Sequence, residues 1–221
     1  MTTTTQTGQI TLPTSELRQI LAALNEYTTS DKTRHVLTLA QVRPIIVEMT
    51  AEHQKAGTPS TALEWQATDS YALISITQRV EHTLTVPALI DPAALLAALP
   101  KKADTSQTAN TVLTLTADAW QLTTGTTTST GTTQTSGIEW PNAWGLWKDQ
   151  KPELAPHCLA SWQHDRLGKT GKHLAGKDGA RIELATMRSD NGQPNPHAPI
   201  VYTIEAAGLE VRALIMPQRK Q

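Results

Sequence analysis

At intervals of about seventy residues, one amphipathic helical pattern is followed by several strand-like segments, and this happens three times along the chain. Self-similarity at that period constrains the fold more than any single motif, because each unit must bury one helix face against its own strands or a neighbour's. The first unit opens with "QITLPTSELRQILAALNEY". Here Leu17, Ile20, Leu21 and Leu24 fall at helical spacing on one stripe and Ser15 is placed to cap the helix. The segments "HVLTLAQV", "PIIVEMTAE" and "ALEWQATDSYALISI" follow as strands, with "HQKAGTPST" as hairpin-loop chemistry between them. The second unit, "HTLTVPALIDPAALLAALPKK", is again strand, turn and helix, with Asp91 as N-cap, Pro92 as first helical residue and Pro100 as stop. Alternating strands rich in outward Thr follow it. For the low-complexity "TTGTTTSTGTTQTSG", an ordered strand and a flexible hairpin tip are both open. The third unit, "APHCLASWQHDRLGKTGKHLAGKDG", carries Gly168, Gly171 and Gly176, which weaken any long helix. It leads through "ARIELATMR" and a polar Pro/Asn loop to two last strands, "PIVYTIEAA" and "LEVRALIMP". The fold class expected is therefore α+β, built from about three helix-plus-antiparallel-strand units.

Composition narrows the function classes. A chain of 221 residues can bury a sizeable core, and with no Phe, six Trp and three Tyr that core rests mainly on Leu, Ile, Val and Ala. A formal net charge of -1 argues against general coating of nucleic acid but leaves room for a locally basic face. The single Cys158 excludes an internal disulfide framework. No stretch is long and apolar enough to span a bilayer, and Met1 to Thr5 have neither the basic nor the apolar part of a signal peptide. A soluble cytoplasmic protein with no membrane contact is the expectation.

Catalytic and metal-binding patterns are missing. "GKTGK" resembles the end of a phosphate loop, but the glycine required five positions before Gly168 is Gln163. His157, Cys158, His164 and His173 lack the paired spacing of a zinc site, and Asp69 has no companion base nearby in sequence. No enzyme, cofactor or metal is expected. Asp69 is expected to accept local backbone hydrogen bonds.

Four stretches, in order, carry a resemblance: "ITLPTSELRQILAAL", "ATDSYALI", "GIEWPNAWGLW" and "PIVYTIEAAGLEVRALIMPQR". They resemble the bacterial DNA polymerase III β subunit, the sliding-clamp family. The first three are similar to its middle domain, and the last to its closing hairpin with a Met-Pro-x-Arg signature. The Thr-rich start reads as a disordered tail over 1–8, and the resemblance implies a clamp-like domain of two half-modules over 9–147 and about one further half-module over 148–221. Clamps have three domains of two half-modules each, so this chain has no counterpart of the first domain. A ring of about twelve half-modules would take four such chains through self-association.

The resemblance also implies a role. Clamps perform no bond chemistry; they enclose double-stranded DNA without reading its sequence and tether polymerases and other clamp-binding proteins through short peptides with Gln and Leu or Phe. Two site sets follow. A peptide cleft would take Thr68, Tyr71 and Leu73 as one wall, Pro141 and Leu146 as floor, and Leu214, Met216 and Pro217 as the other wall. Met and Pro suit a shallow apolar groove that accepts several peptides. These residues could equally cap the core at a strand end. Tyr71 stands where the family often has His. A DNA-facing set would take Arg18, Lys101, Lys102, Arg166, Lys169 and Lys172, with Lys177 beside them; the alternative is ordinary solvated charge at helix ends. Trp140, Trp144 and Trp147 read either as core packing or as an aromatic junction surface. The function expected is a clamp-like processivity or tethering factor, or else a non-ring adaptor or decoy for clamp-binding proteins.

Overall fold

The computed structural model describes residues 6–46, 61–100, 109–132, 139–141, 152–153, 161–175, 181–187, 199–206 and 209–216. The three units are present, each a strand, a helix and three further strands. The first is β1 (Gln6–Pro13), α1 (Thr14–Asn25), β2 (Ala40–Ile46), β3 (Thr61–Thr68) and β4 (Ala72–Arg79). The second is β5 (Ala88–Ile90), α2 (Pro92–Ala98), β6 (Asn110–Thr116), β7 (Ala119–Thr124) and β8 (Thr127–Thr132). The third is β9 (Pro152–Glu153), α3 (Ser161–Ala175), β10 (Arg181–Met187), β11 (Ile200–Ala206) and β12 (Leu209–Ile215).

All strand pairing is antiparallel and forms two sheets, ordered β1-β6-β7-β8 and β5-β2-β3-β4-β12-β11-β10-β9. The first two units exchange leading strands: β1 pairs with β6 and β5 with β2. The leading strand of the third unit, β9, folds back on its own β10. The last strands of the first and third units, β4 and β12, pair with each other and make the larger sheet continuous across the chain.

The predicted stripe of α1 is buried as expected, with Leu17, Ile20, Leu21 and Leu24 in the core. Its cap is not Ser15. Pro13 precedes the helix without a side-chain cap, and the Thr14 amide and hydroxyl instead donate to the Ala109 carbonyl at 2.8 and 2.7 Å. The helix start is thus tied to the neighbouring unit rather than closed locally. α2 follows its sequence signals: the Asp91 carboxylate accepts from the Ala94 amide at 3.0 Å, and the helix ends just before Pro100.

Four local expectations are corrected. β1 begins at Gln6, inside the stretch 1–8 expected to be a disordered tail, because pairing with β6 reaches Thr116 and Gly8 lies against the backbone of Leu84. A Cβ at Gly8 would stand 2.4 Å from the Leu84 Cα, an approach only glycine permits. Residues of "HVLTL" form a 3-10 helix (Lys32–Thr38), its start held by the Asp31 carboxylate accepting from the Thr33 amide at 2.9 Å. The strands expected on either side of Pro44 are one strand, β2. Its β5 neighbour covers only Ala40 to Val42, so the missing N–H of Pro44 falls beyond that ladder. α3 runs unbroken through Gly168 and Gly171, because Gln163, Leu167, Thr170 and Leu174 form a buried stripe against α1 and β11. Tertiary packing there outweighs the helix cost of two glycines, about 1 kcal/mol each.

The low-complexity Thr segment is ordered as strand β8 from Thr127 to Thr132, reached by a two-residue loop with Gly125 at φ 57. The core is aliphatic as expected but is centred on three large rings as well, Trp65, Tyr27 and Tyr202. "HQKAGTPST", the Pro/Asn loop, Lys101, Lys102, Lys177, Leu146, Trp144, Trp147 and Pro217 lie outside the described residues, apart from Thr61 at the end of the first.

Candidate docking site at the β4–β12 junction

Where β4 meets β12, the register sets Leu73 opposite Leu214 and Ala72 opposite Ile215. One residue further on, the Met216 amide donates to the Tyr71 carbonyl at 2.8 Å. Residues 71 and 216 thus sit side by side at the end of the ladder. The same register aligns Thr68, Leu73, Leu214 and Val201 in one row across β3, β4, β12 and β11. Alternation puts that row on the face opposite to Ile74, Ala213 and Tyr202, which belong to the helix-covered core. Leu73 and Leu214 are only 4% and 3% exposed, whereas Tyr71 and Met216 are 60% and 42% exposed. An apolar pair open to solvent therefore stands beside this buried row, just beyond the ends of β4 and β12. Pro141 is also exposed.

The turn that presents Tyr71 is tightly determined. Ser70 adopts φ 78, the left-handed region that a side chain enters at a cost on the order of 1 kcal/mol. Thr68 offsets this by donating its hydroxyl to the Ala72 carbonyl at 2.7 Å and accepting from the Ser70 amide at 3.1 Å. The Thr68 hydroxyl is thus committed to the turn. Asp69 accepts the Tyr71 and Ala72 amides on one carboxylate oxygen at 2.9 and 2.8 Å, the local bonding expected of it. Arg34 donates to the Ser70 hydroxyl at 2.6 Å.

Two residues of α3 complete the site. Arg166 donates to the other oxygen of Asp69 at 2.7 Å, with its guanidinium 5.3 Å above the ring of Tyr27. Gln163, fully buried, donates its side-chain amide to the Met216 carbonyl at 2.8 Å. Sequence reasoning missed Gln163 and Val201 here and placed Arg166 among DNA-facing charges. No local signal could have found the partners of Gln163 and Arg166, which lie 53 and 97 positions away, whereas Val201 meets Leu214 across the β11–β12 hairpin. Burial pushes the Tyr27 phenol up to about 12 from its ordinary 10.0.

The other expected cations divide. Arg18 on α1 donates to the Pro100 carbonyl beyond α2, and the Lys169 ammonium lies 3.7 Å from the Glu26 carboxylate. Lys172 is exposed. "GKTGK" lies inside α3, so its amides belong to a helix interior rather than a phosphate-cradling loop. Among the described residues no three His, Cys, Asp or Glu side chains are grouped to hold a metal, and no helix is long and apolar enough to cross a membrane.

Fold comparison defines the class. A DNA polymerase sliding clamp from Caulobacter crescentus superposes on all of this chain and 68% of its own, with a TM-score of 0.64 and 14% identity. Proliferating cellular nuclear antigen from Entamoeba histolytica covers 97% of this chain and 100% of its own, at 0.55 and 11%. The A. fulgidus antigen, solved with the C-terminal region of FEN-1 bound, covers 97% and 99%, at 0.51 and 8%. The chain has the sliding-clamp fold. In sequence, no family model and no curated protein matches it.

Proposed function

We propose that this protein is a sliding-clamp-like tethering factor in DNA replication, which docks short peptides of a polymerase or other clamp-binding protein between Tyr71 and Met216. The observation that carries the reading is the backbone bond joining these two residues at the exposed end of the β4–β12 ladder, on a clamp fold. An extended peptide with Leu or Phe anchors would cover the exposed tyrosine and thioether faces, while its polar residue meets the turn. Leu73, Leu214 and Thr68 shape the site from beneath, and the family resemblance assigns Pro141, Leu146 and Pro217 to the same cleft. The protein is not an enzyme, needs no cofactor and acts in the cytoplasm. The first two units, up to residue 147, form one domain and the third, 148–221, a partial second one that closes the docking site. Double-stranded DNA is held through diffuse charge at Lys172, Lys169, Lys101 and Lys102, with closure through self-association.

Anisotropy of a fluorescein-labelled peptide carrying Gln followed by Leu and Phe tests the docking site. Saturable binding to the wild type, lost on truncation after Ile215 with the circular dichroism unchanged, supports it. Equal affinity in the truncated protein removes the assignment. A second reading, an adaptor that binds peptides without enclosing DNA, is favoured by one observation: Arg18 and Arg166, two of the expected DNA-facing cations, are engaged within the protein. Light scattering separates the two, since the adaptor is a monomer that still binds peptide.

A further inference from the structure

We propose that Arg166 and Gln163 are positioning residues of the docking site, a clasp by which the third unit's helix sets the separation of Tyr71 and Met216. The proposal rests on the docking reading for its functional consequence but on geometry for its existence.

Gln163 and Arg166 are three residues apart, so they project from one face of α3 about one turn from each other. Each reaches a different strand end. Gln163 holds the carbonyl of Met216, the last described residue after β12. Arg166 holds the Asp69 carboxylate, whose other oxygen fixes the amides of Tyr71 and Ala72. Between the two strand ends themselves, beyond the last ladder pair, the only backbone bond among the described residues is Met216 to Tyr71. A strand end held by one backbone bond frays readily. Two side-chain bonds from a single rigid helix remove that freedom on both sides at once.

Arg166 is itself immobilised. Both it and Asp69 are largely buried, its cation lies over the Tyr27 ring, and the Thr170 hydroxyl bonds its carbonyl at 2.8 Å. A cation serving diffuse phosphate contact would instead project into solvent, as Lys172 does. Its chemistry here is that of a fixed, charge-assisted donor. The clasp therefore makes the docking site a property of two units: α3 must be seated before Tyr71 and Met216 present a single surface.

The test compares Arg166→Leu, Arg166→Lys and Gln163→Leu with the full wild-type chain. Each is checked by thermal melting and then titrated with the labelled peptide described above. Arg166→Leu is expected to bind at least tenfold more weakly, Arg166→Lys within about threefold of wild type, and Gln163→Leu, which is close in size but cannot donate, about fivefold more weakly. Carbon-13 methyl spectra of methionine-labelled protein, with the Met216 signal assigned by its loss in Met216→Leu, supply a readout that needs no peptide. That signal should move or split in Arg166→Leu and Gln163→Leu and stay in place in Arg166→Lys. If the wild type takes no peptide, the docking reading falls and the methyl signal alone judges the clasp. An unshifted Met216 signal in both Arg166→Leu and Gln163→Leu overturns it. Should Arg166→Leu fail to fold, Gln163→Leu decides by the same two readouts.

Discussion

At the scale of single residues, the least ordinary position is Tyr27. It closes α1 beneath the Arg166 guanidinium, and burial raises its phenol to about 12 from 10.0. A phenol whose pKa is higher folded than unfolded contributes stability that is fully present below pH 10 and is lost as pH rises toward 12. The contribution is on the order of 2–3 kcal/mol at most. Urea unfolding at pH 8, 10 and 11 should show falling stability, with a smaller fall in Tyr27→Phe. Burial pushes Tyr202 in the same direction, so part of the slope should survive that substitution. An identical slope in both proteins would show that Tyr27 does not titrate on unfolding. Asp69 shows how much of such a residue can be read in sequence. Its backbone bonding is a local property and was expected; its pairing with a residue 97 positions away was not.

At the scale of elements, glycine separates local from tertiary control. Gly168 lies in α3 with open space where a Cβ would go, so Gly168→Ala should stabilise the protein by about 1 kcal/mol. Gly8 sits in β1 against the Leu84 backbone, so Gly8→Ala must displace one strand or the other. Thermal melts should therefore move in opposite directions for these two chemically identical changes. A lowered midpoint in Gly168→Ala would mean that α3 is held less regularly than its hydrogen bonding implies. The sequence misjudged α3 because helix propensity was legible and its buried stripe against α1 was not. It judged α1 and α2 well, where the apolar stripe and the Asp91 cap are written within a few residues.

At the scale of the whole molecule, one strand end lacks what its counterparts have. The last strands of units one and three, β4 and β12, pair with each other; β8, the last strand of unit two, has no described strand on its outer edge. Long exposed edges invite pairing with a second chain. The two-residue loop at Gly125 and Thr126, with φ positive only at Gly125, fits a turn in which Thr124 and Thr127 bond each other. Alternation then turns the N–H of Thr128 and Thr130 outward. If closure proceeds through this edge, Thr130→Pro should lower the mass seen by light scattering to that of one chain while the circular dichroism stays unchanged. An oligomer of undiminished mass would place the contact elsewhere.

The sequence by itself determined the threefold helix-and-strand repeat, the α+β class, the positions of α1 and α2, and the likeness to a clamp. The first three depend on periodicity and on caps that act within about ten residues, and the likeness on four short stretches that resemble a known family. Only the tertiary structure decided that units one and two exchange their leading strands, that β4 joins β12, and that Arg166 faces Asp69 rather than solvent. Those are choices of partner. A strand carries the same alternation whichever neighbour it meets, and an arginine the same charge whether it meets a phosphate or a carboxylate. Register and partner are settled only when distant segments compete to bury the same apolar face.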